Sequence, residues 1–227
     1  MTSMHEDTID YPALVKQKQM LRKTIRSQLK SISQAALHRA GLDAAFQLQS
    51  HPHWQHAKAV LLYASMAGEI DTRPLFHLAK AKGKILFYPR IEGEDILFYQ
   101  VDALRALIPQ GPLQILEPRP GLISLSEWLH AVTSTGGERQ APIPLVGIIP
   151  GLAFDRQGGR LGKGKGYYDR FLSSIQIGSL PCTIDLYTLG ICIEEQVLDQ
   201  VPRSPFDIML HEVMIVHREL APNRKIL

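Results

Sequence analysis

Apolar residues recur every three or four positions in the first fifty residues, and this spacing predicts two helices. The first begins at Pro12 and carries lysines and arginines between its apolar positions, so it is a basic amphipathic helix. Ser33 is placed to cap the second helix, which extends to Leu48, and "HPHW" at 51–54 ends it. We expect residues 1–11 to be a frayed start.

Short apolar runs then replace the helical spacing and predict strands buried on both faces. The runs are 59–64, 84–89, 95–101, 143–150, 188–193 and 212–217. A helix capped by Thr72, with Pro74 in its first turn and Gly83 at its end, separates the first two runs. A strand, a helix and a strand in this order predict parallel pairing.

Two later stretches differ from this rhythm. Residues 112–121 hold too many prolines for a sheet interior and are expected to be irregular. Ser124 and Glu127 form a capping box for a short helix. Together the patterns predict one α/β domain over residues 1–227, with a mostly parallel sheet between two layers of helices in a three-layer α/β/α arrangement.

Composition narrows the classes of partner. The 227 residues are 45% hydrophobic and 21% charged, which suits one globular domain. A net charge of +3 suits an anionic small molecule and is too slight for a nucleic-acid-binding face. The two cysteines have no metal-ligand spacing, and no run of apolar residues is long enough to span a membrane. We expect a cytoplasmic protein without nucleic-acid or membrane partners. We read the three histidines of 51–56 as surface residues and Trp128 as core.

The segment "FDRQGGRLGKGKGYYDRFL" at 154–172 carries the strongest chemical signal. It follows the predicted strand 143–149, and ligands of open α/β sheets bind beyond the carboxyl ends of strands. A helix is predicted from Gly166, and glycines before a helix start leave backbone N–H groups free for phosphate oxygens. Arg160, Lys163 and Lys165 add positive charge at the same point. The segment therefore predicts a phosphate-binding site.

A P-loop is the nearest standard template, and it does not fit. Residues 159–165 spell G-x-x-x-x-G-K, but Gly166 follows where Ser or Thr would hold Mg²⁺. Asp169 is then the local candidate for a magnesium ligand. The alternative is a flexible basic surface turn that serves as a localisation signal or contacts RNA. The direct passage into an amphipathic helix argues against that alternative.

The longer stretch "PGLAFDRQGGRLGKGKGYYDR" resembles the signature of the 5-formyltetrahydrofolate cyclo-ligase family. Further segments resemble the family's other motifs, in the same order. They are "KQMLRKTIRSQLKSIS" (18–33), "SMAGEIDTRPL" (65–75), "GKILFYPRI" (83–91), "ILEPRPG" (115–121) and "VPRSPFDIMLHEVM" (201–214). The resemblance implies an architecture like that of sugar-phosphate isomerases and CoA transferases.

The resemblance also implies a reaction, in which 5-formyltetrahydrofolate and ATP give 5,10-methenyltetrahydrofolate, ADP and phosphate. A formamide oxygen is a poor leaving group, and phosphorylation turns it into phosphate, which N10 can displace within the same molecule. Such a site needs electrostatic positioning more than acid–base groups. Mg²⁺ and ATP are the implied cofactor and co-substrate, and a folate is the implied partner.

Carried over position by position, the family's motifs assign roles to single residues. The residues assigned to catalysis are Arg160, Lys165 and Tyr167. Folate binding is assigned to Ala64 and Glu69, and metal binding to Asp169 and Asp207. The residues assigned to nucleotide binding are Lys18, Arg22, Arg160, Leu161, Gly162, Lys163, Gly164, Lys165, Gly166, Tyr167 and Tyr168. Tyr88 and Arg90 are assigned to the neighbourhood of the folate's glutamate tail or a phosphate.

Each of these roles has a simpler alternative when the residue is taken alone. Lys18 and Arg22 share one face of the first helix but are two of many solvated cations there. Asp207 could cap a helix, and Glu69 could be an exposed turn residue. The chain also departs from the family, because His211 and Leu145 stand where an aspartate is usual. These departures bear on the magnesium shell.

Two rival functions stay open on sequence grounds. One is an isomerase-like enzyme that acts on a phosphorylated sugar without ATP, with a catalytic carboxylate beside the loop. The other is a non-catalytic module that senses nucleotide or folate, or an RNA-binding protein. The aromatic content of 7% falls mostly in strand runs, which disfavours RNA binding. The sequence does not show the oligomeric state, and a monomer is our expectation.

Overall fold

A six-stranded sheet organises the protein, in the order β11-β9-β6-β1-β2-β3. The computed structural model describes residues 10–111, 114–134, 141–178, 180 and 184–219. In chain order the strands are β1 (Ala59–Leu61), β2 (Ile85–Glu92), β3 (Asp95–Gln100), β4 (Leu107–Gln110), β5 (Ile115–Pro118), β6 (Ile143–Ile148), β7 (Ala153–Asp155), β8 (Arg160–Leu161), β9 (Ile184–Cys192), β10 (Val197–Leu198) and β11 (Glu212–Ile215). All neighbours in the large sheet pair in parallel except β2 and β3. The predicted parallel pairing of the first two strands is confirmed.

Helices begin where the sequence provides caps. They are α1 (Tyr11–Leu29), α2 (Gln34–Leu48), α3 (Pro52–His56), α4 (Arg73–Ala81), α5 (Leu125–Thr133) and α6 (Tyr167–Gln176). The hydroxyl of Ser33 accepts a hydrogen bond from the N–H of Ala36 at 3.2 Å, as predicted. The capping box of Ser124 and Glu127 is also present. Two short 3₁₀ turns lie at Leu104–Ala106 and Glu194–Gln196.

Side chains that alternate along the strands build two apolar layers. On β1, Val60 packs into the cluster that contains Leu37 of α2 and Leu75 of α4. Leu61 packs into the opposite cluster, which contains Leu129 of α5. Because helices cover both faces, the structure has three layers, and the predicted mixed α/β class with a mostly parallel sheet is confirmed. The likeness to sugar-phosphate isomerases stays a prediction.

Several local predictions were wrong, and one of them concerns prolines. Residues 115–118 are not irregular, because β5 pairs antiparallel with β4 in a separate two-stranded sheet. Such a small sheet has no interior strand, so it tolerates the missing N–H groups of Pro109 and Pro118. The predicted end of α2 at Leu48 is confirmed. Pro52 then begins the short helix α3, a position where its fixed φ suits the first turn.

Other corrections concern element ends. The helix α1 already begins at Tyr11 and is capped by Asp10, whereas residues 1–9 lie outside the described part of the chain. Thr72 makes no side-chain cap, because its hydroxyl donates to the carbonyl of Tyr63 at 2.7 Å. His51 is not a plain surface residue, because its imidazole lies 3.0 Å from the carboxylate of Glu212 and is 12% exposed.

Asp71 anchors the segment that leads from β1 to α4. Its buried carboxylate lies 2.7 Å from Nδ1 of His38 on α2 and accepts hydrogen bonds from the main chain and the guanidinium of Arg73. Gly41 permits this contact, since a Cβ there would lie 2.0 Å from the carbonyl oxygen of Asp71. Burial alone would raise the pKa of Asp71, but the hydrogen bonds from Arg73 and His38 lower it to about 2.

We predict that Asp71→Asn lowers the free energy of unfolding at pH 6 by about 1–2 kcal/mol, since Arg73 is largely exposed and screened. The folded pKa of about 2 lies below the ordinary value of 3.8, so this stabilisation is present above pH 4 and lost as the pH falls towards 2. Urea unfolding of both proteins at pH 6 and pH 3 measures it. The difference should shrink by about half at pH 3. A difference that does not change with pH would contradict the assignment.

Candidate active site

Asp155 shapes the glycine-rich loop. Its fully buried carboxylate accepts hydrogen bonds from the N–H groups of Gln157 at 3.0 Å and Gly159 at 2.8 Å through one oxygen. The other oxygen accepts from Val201 at 2.9 Å. Gly158 has a φ of +95° and its carbonyl accepts from the N–H of Leu210 at 2.9 Å. One side chain therefore ties the loop to the segment 201–210, a role that sequence reasoning missed.

Arg160 lies at the centre of the loop with a side chain that is 4% exposed. Its guanidinium donates to Oδ1 of Asp169 at 2.7 Å and to the carbonyl of Pro150 at 3.2 Å. Its Nε is buried and has no hydrogen-bond partner among the described residues. A buried donor without an acceptor costs about 1–3 kcal/mol, so this site favours a further anionic or polar group.

The first turn of α6 has no side-chain cap. Its N-cap is Gly166, with a φ of +71° that suits glycine, so the first backbone N–H groups stay available for an anion. Tyr167 and Tyr168 begin the helix. The ring of Tyr168 packs near Phe98, and burial raises the pKa of its phenol, which keeps the hydroxyl protonated. This geometry supports the phosphate site predicted from the sequence.

The basic face of α1 docks on the same loop. Arg22 donates from Nε to the carbonyl of Gly162 at 2.9 Å, and Arg26 donates to the carbonyl of Lys163 at 3.4 Å. Lys18 forms an ion pair with Asp207, and both side chains are mostly buried. The alternative that Lys18 and Arg22 are merely solvated cations on the helix surface is therefore wrong.

Asp207 lies in a loop outside any helix. Its carboxylate accepts hydrogen bonds from the N–H and the hydroxyl of Ser204 at 2.5 and 3.0 Å. Burial raises its pKa, but Lys18 and Ser204 outweigh that effect and hold the pKa below its ordinary value. The carboxylate is thus ionised at neutral pH. The alternative role as a helix cap is wrong.

Glu69 is brought to the loop by the turn after β1, the strand next to β6 in the sheet. One carboxylate oxygen accepts from the N–H of Met66 at 2.8 Å, and the other lies 2.6 Å from Nζ of Lys163. Its side chain is 13% exposed, so the alternative of an exposed turn residue is wrong. Ala64, from the same turn, is partly buried against the core.

The amino-acid sequence of the chain matches a known protein family. Residues 15–216 match the profile of the 5-formyltetrahydrofolate cyclo-ligase family. The chain belongs to this family. The family members are ligases, and the expected class of enzyme is confirmed.

Similar proteins match over most of the chain. The 5-formyltetrahydrofolate cyclo-ligase of Mus musculus is 28% identical over 87% of this chain and 92% of its own length. The mitochondrial 5-formyltetrahydrofolate cyclo-ligase of Arabidopsis thaliana is 31% identical over 77% of this chain and 63% of its own length. The solution structure of Aquifex aeolicus 5,10-methenyltetrahydrofolate synthetase is 28% identical, with a TM-score of 0.62, over 92% of this chain and 96% of that chain.

Tyr63 is a neighbour of the cyclo-ligase site that the sequence analysis did not single out. It is buried, and the pKa of its phenol is raised by burial first and then by Glu69 and Tyr168. The phenol is therefore expected to stay protonated at neutral pH. In the sequence, Tyr63 directly precedes Ala64 at the carboxyl end of a buried strand run, and this position could have identified it.

Other predicted residues lie differently from expectation. Leu161 is 1% exposed within the core, and its carbonyl accepts from the N–H of Leu152 at 2.8 Å, so its assignment to the nucleotide stays a prediction. Tyr88 is 1% exposed and packs near Phe76, on the side of the sheet covered by α4. Arg90 pairs with Glu92. Within the described residues, neither Tyr88 nor Arg90 forms an ion pair or a hydrogen bond with the loop.

The two departures from the family pattern have structural settings. Leu145 is 1% exposed in β6, where an apolar side chain fills the layer beneath α5. His211 is exposed, and its Nδ1 lies 2.7 Å from the hydroxyl of Thr188. Its ring stacks on Tyr187 with centroids 5.0 Å apart. His211 thus contacts residues of β9 rather than Asp169 or Asp207.

No group of three or more His, Cys, Asp or Glu side chains within the described ranges could hold a metal ion by itself. Asp169 and Asp207 each pair with a cation, Arg160 and Lys18 respectively. They lie near each other, because the N–H of Ile208 donates to Asp169 at 3.3 Å. Two neighbouring carboxyl side chains fit a magnesium ion that takes its remaining ligands from water and phosphate oxygens. No described helix is long and apolar enough to cross a membrane.

We predict that Gly158→Ala lowers the free energy of unfolding by about 3 kcal/mol or more, because of the positive φ and of backbone crowding. The added Cβ would lie 2.2 Å from the carbonyl oxygen of Leu210. Gly93→Ala is the matched control, since Gly93 also has a positive φ but open space around it. It should cost about 1 kcal/mol. Urea unfolding measures both, and equal losses would show that the contact with Leu210 carries no cost.

Proposed function

We propose that this chain converts 5-formyltetrahydrofolate and ATP to 5,10-methenyltetrahydrofolate, ADP and phosphate. The observation that carries the proposal is the convergence of charged groups on one loop. Lys18 and Arg22 reach it from α1, Arg160 lies inside it, and Glu69 contacts Lys163 within it. Family membership supplies the substrate class, and this geometry supplies an anion site beside a carboxylate.

The nucleotide's phosphates would lie along residues 160–168. The uncapped first turn of α6 offers backbone donors, and Arg160 and Lys165 offer positive charge for the phosphoryl group in transfer. Lys165 is exposed and forms no ion pair with a described residue, so it is free to turn towards a ligand. Arg160 cannot turn, because Asp169 and Pro150 hold its guanidinium.

The folate would lie on the Glu69 side of the loop. Carboxylates accept hydrogen bonds from N–H groups, and the pterin presents such an edge. Ala64 leaves space beside the turn, and Tyr167 follows directly on the loop. In this arrangement the formyl oxygen attacks the terminal phosphorus, and the bond from that phosphorus to ADP breaks. N10 then attacks the formyl carbon, and the phosphorylated oxygen leaves as phosphate.

Mg²⁺ would be held by Asp169 and Asp207, and it would supply charge neutralisation on the phosphate oxygens. Both carboxylates already touch cations that also serve the nucleotide, so the protein keeps them in place before a ligand binds. A cytoplasmic location and a monomer stay predictions. The word mitochondrial in the name of the Arabidopsis relative shows that similar proteins are not confined to one compartment.

We predict that the purified protein with ATP, Mg²⁺ and 5-formyltetrahydrofolate develops the ultraviolet absorbance of the methenyl product. Arg160→Ala should lower kcat at least about 100-fold, as expected for a lost electrostatic stabiliser of the transition state. Arg156→Ala is the matched control, because Arg156 is 66% exposed and pairs with Glu194 on the surface. It should retain the wild-type rate.

The outcomes of this assay are distinct. A folded wild-type protein that forms no product would remove the proposed reaction and favour an isomerase-like enzyme or a binding module. Wild-type turnover in Arg160→Ala would place the chemistry elsewhere on the chain. Circular dichroism and thermal melting of each variant separate a lost site from a lost fold.

We predict that Lys18→Ala raises the KM for ATP about tenfold, the effect of one lost charge-assisted hydrogen bond. The KM for the folate should change much less, because Lys18 pairs with Asp207, whereas Glu69 pairs with Lys163. Lys23→Ala, an exposed lysine of the same helix, is the control and should change neither KM. A larger effect on the folate than on ATP would reject the assignment.

A further inference from the structure

Lys163 connects the two halves of the site. Its Nζ lies 2.6 Å from Oε1 of Glu69 and 3.0 Å from Sδ of Met66. The other oxygen of Glu69 is engaged by the N–H of Met66 at 2.8 Å. With both oxygens engaged, the carboxylate assigned to the folate is covered by a cation assigned to the nucleotide.

The main chain of Lys163 is held by its neighbours, whereas its side chain is partly exposed. On one side the carbonyl of Gly162 accepts a hydrogen bond from Arg22, and the carbonyl of Lys163 itself accepts one from Arg26. On the other side Gly164 has a φ of +103°. The side chain is 42% exposed, so its ammonium group can rotate between partners without moving the loop.

A triphosphate in the loop would compete for this ammonium group. Lys18 and Arg160 are only 12% and 4% exposed, and each already pairs with a partly buried carboxylate, Asp207 and Asp169 respectively. The Lys163–Glu69 pair is more exposed on its lysine side, and pairs of that kind are weak. Of these pairs it is therefore the one that a phosphate breaks most readily.

We propose that Lys163 covers Glu69 in the free protein, and that nucleotide phosphates draw it away and open the carboxylate to the folate. The inference rests on the proposed function, because it takes the nucleotide and the folate as the two ligands. Coupling between sites is reciprocal, so the folate tightens nucleotide binding by the same factor. Lys163 then acts as a positioning residue that favours assembly of the ternary complex over binding of either substrate alone.

Titration calorimetry with 5-formyltetrahydrofolate, with and without the non-hydrolysable nucleotide adenylyl imidodiphosphate and Mg²⁺, tests the inference. In the wild type the nucleotide should tighten folate binding about fivefold, a typical coupling between sites. Lys163→Met should bind the folate about three- to fivefold more tightly than the wild type when nucleotide is absent, because Glu69 is uncovered. Adding the nucleotide should then give no further tightening.

Lys23→Met is the matched control, since it removes an equal charge from α1, which docks on the same loop, at an exposed residue assigned to neither ligand. It should keep the wild-type coupling. Weaker folate binding by Lys163→Met without nucleotide would overturn the inference, because a lysine that only contacts the folate behaves in that way. Independent binding of the two ligands to the wild type would also overturn it and leave the proposed function standing. Binding of neither ligand to the folded wild type would instead reject the proposed function.

Discussion

Like charges gathered on one loop must be held together before any ligand arrives, and this constraint governs the site. Lys18, Arg160 and Lys163 lie where their mutual repulsion opposes folding. Carboxylates from three separate segments offset it: Asp207 pairs with Lys18, Asp169 with Arg160 and Glu69 with Lys163. The pairs keep an anion-binding surface in shape without an anion. An anionic ligand would then replace a carboxylate as the partner of a cation that is already in place.

The scaffold beneath these pairs consists of hydrogen bonds to one buried carboxylate and of glycines with close neighbours. Asp155 accepts three backbone N–H groups, which fixes the turn before Arg160 and the segment that carries Asp207. A Cβ on Gly159 would lie 2.2 Å from that carboxylate. The conformational cost of the glycines is thus offset by contacts that a larger residue would prevent.

The sequence predicted most of what depends on local patterns. Apolar spacing gave the helices and the buried strands, and Ser33 and Ser124 marked helix starts through hydrogen bonds that span three residues. The glycine-rich segment indicated a phosphate site because its donors and cations are contiguous. The misses came where proline or an isolated polar residue acts differently according to context. Residues 115–118 pair in a small sheet, and nothing in the local sequence indicated that the buried carboxylate of Asp155 fixes the loop.

Taken alone, then, the sequence determined the class of fold and the family and predicted where an anion would bind, because each of these follows from periodicity or from a contiguous motif. Only the tertiary structure decided which charges meet. Lys18 and Asp207 are 189 positions apart, and Lys163 and Met66 are 97 positions apart, so no local pattern specifies their contacts. Met66 and Lys163 meet because β1 and β6 are adjacent parallel strands, and the segments that follow them leave the same edge of the sheet. Asp207 is brought there by the hydrogen bonds that tie the segment 201–210 to the loop, and Lys18 by the docking of α1.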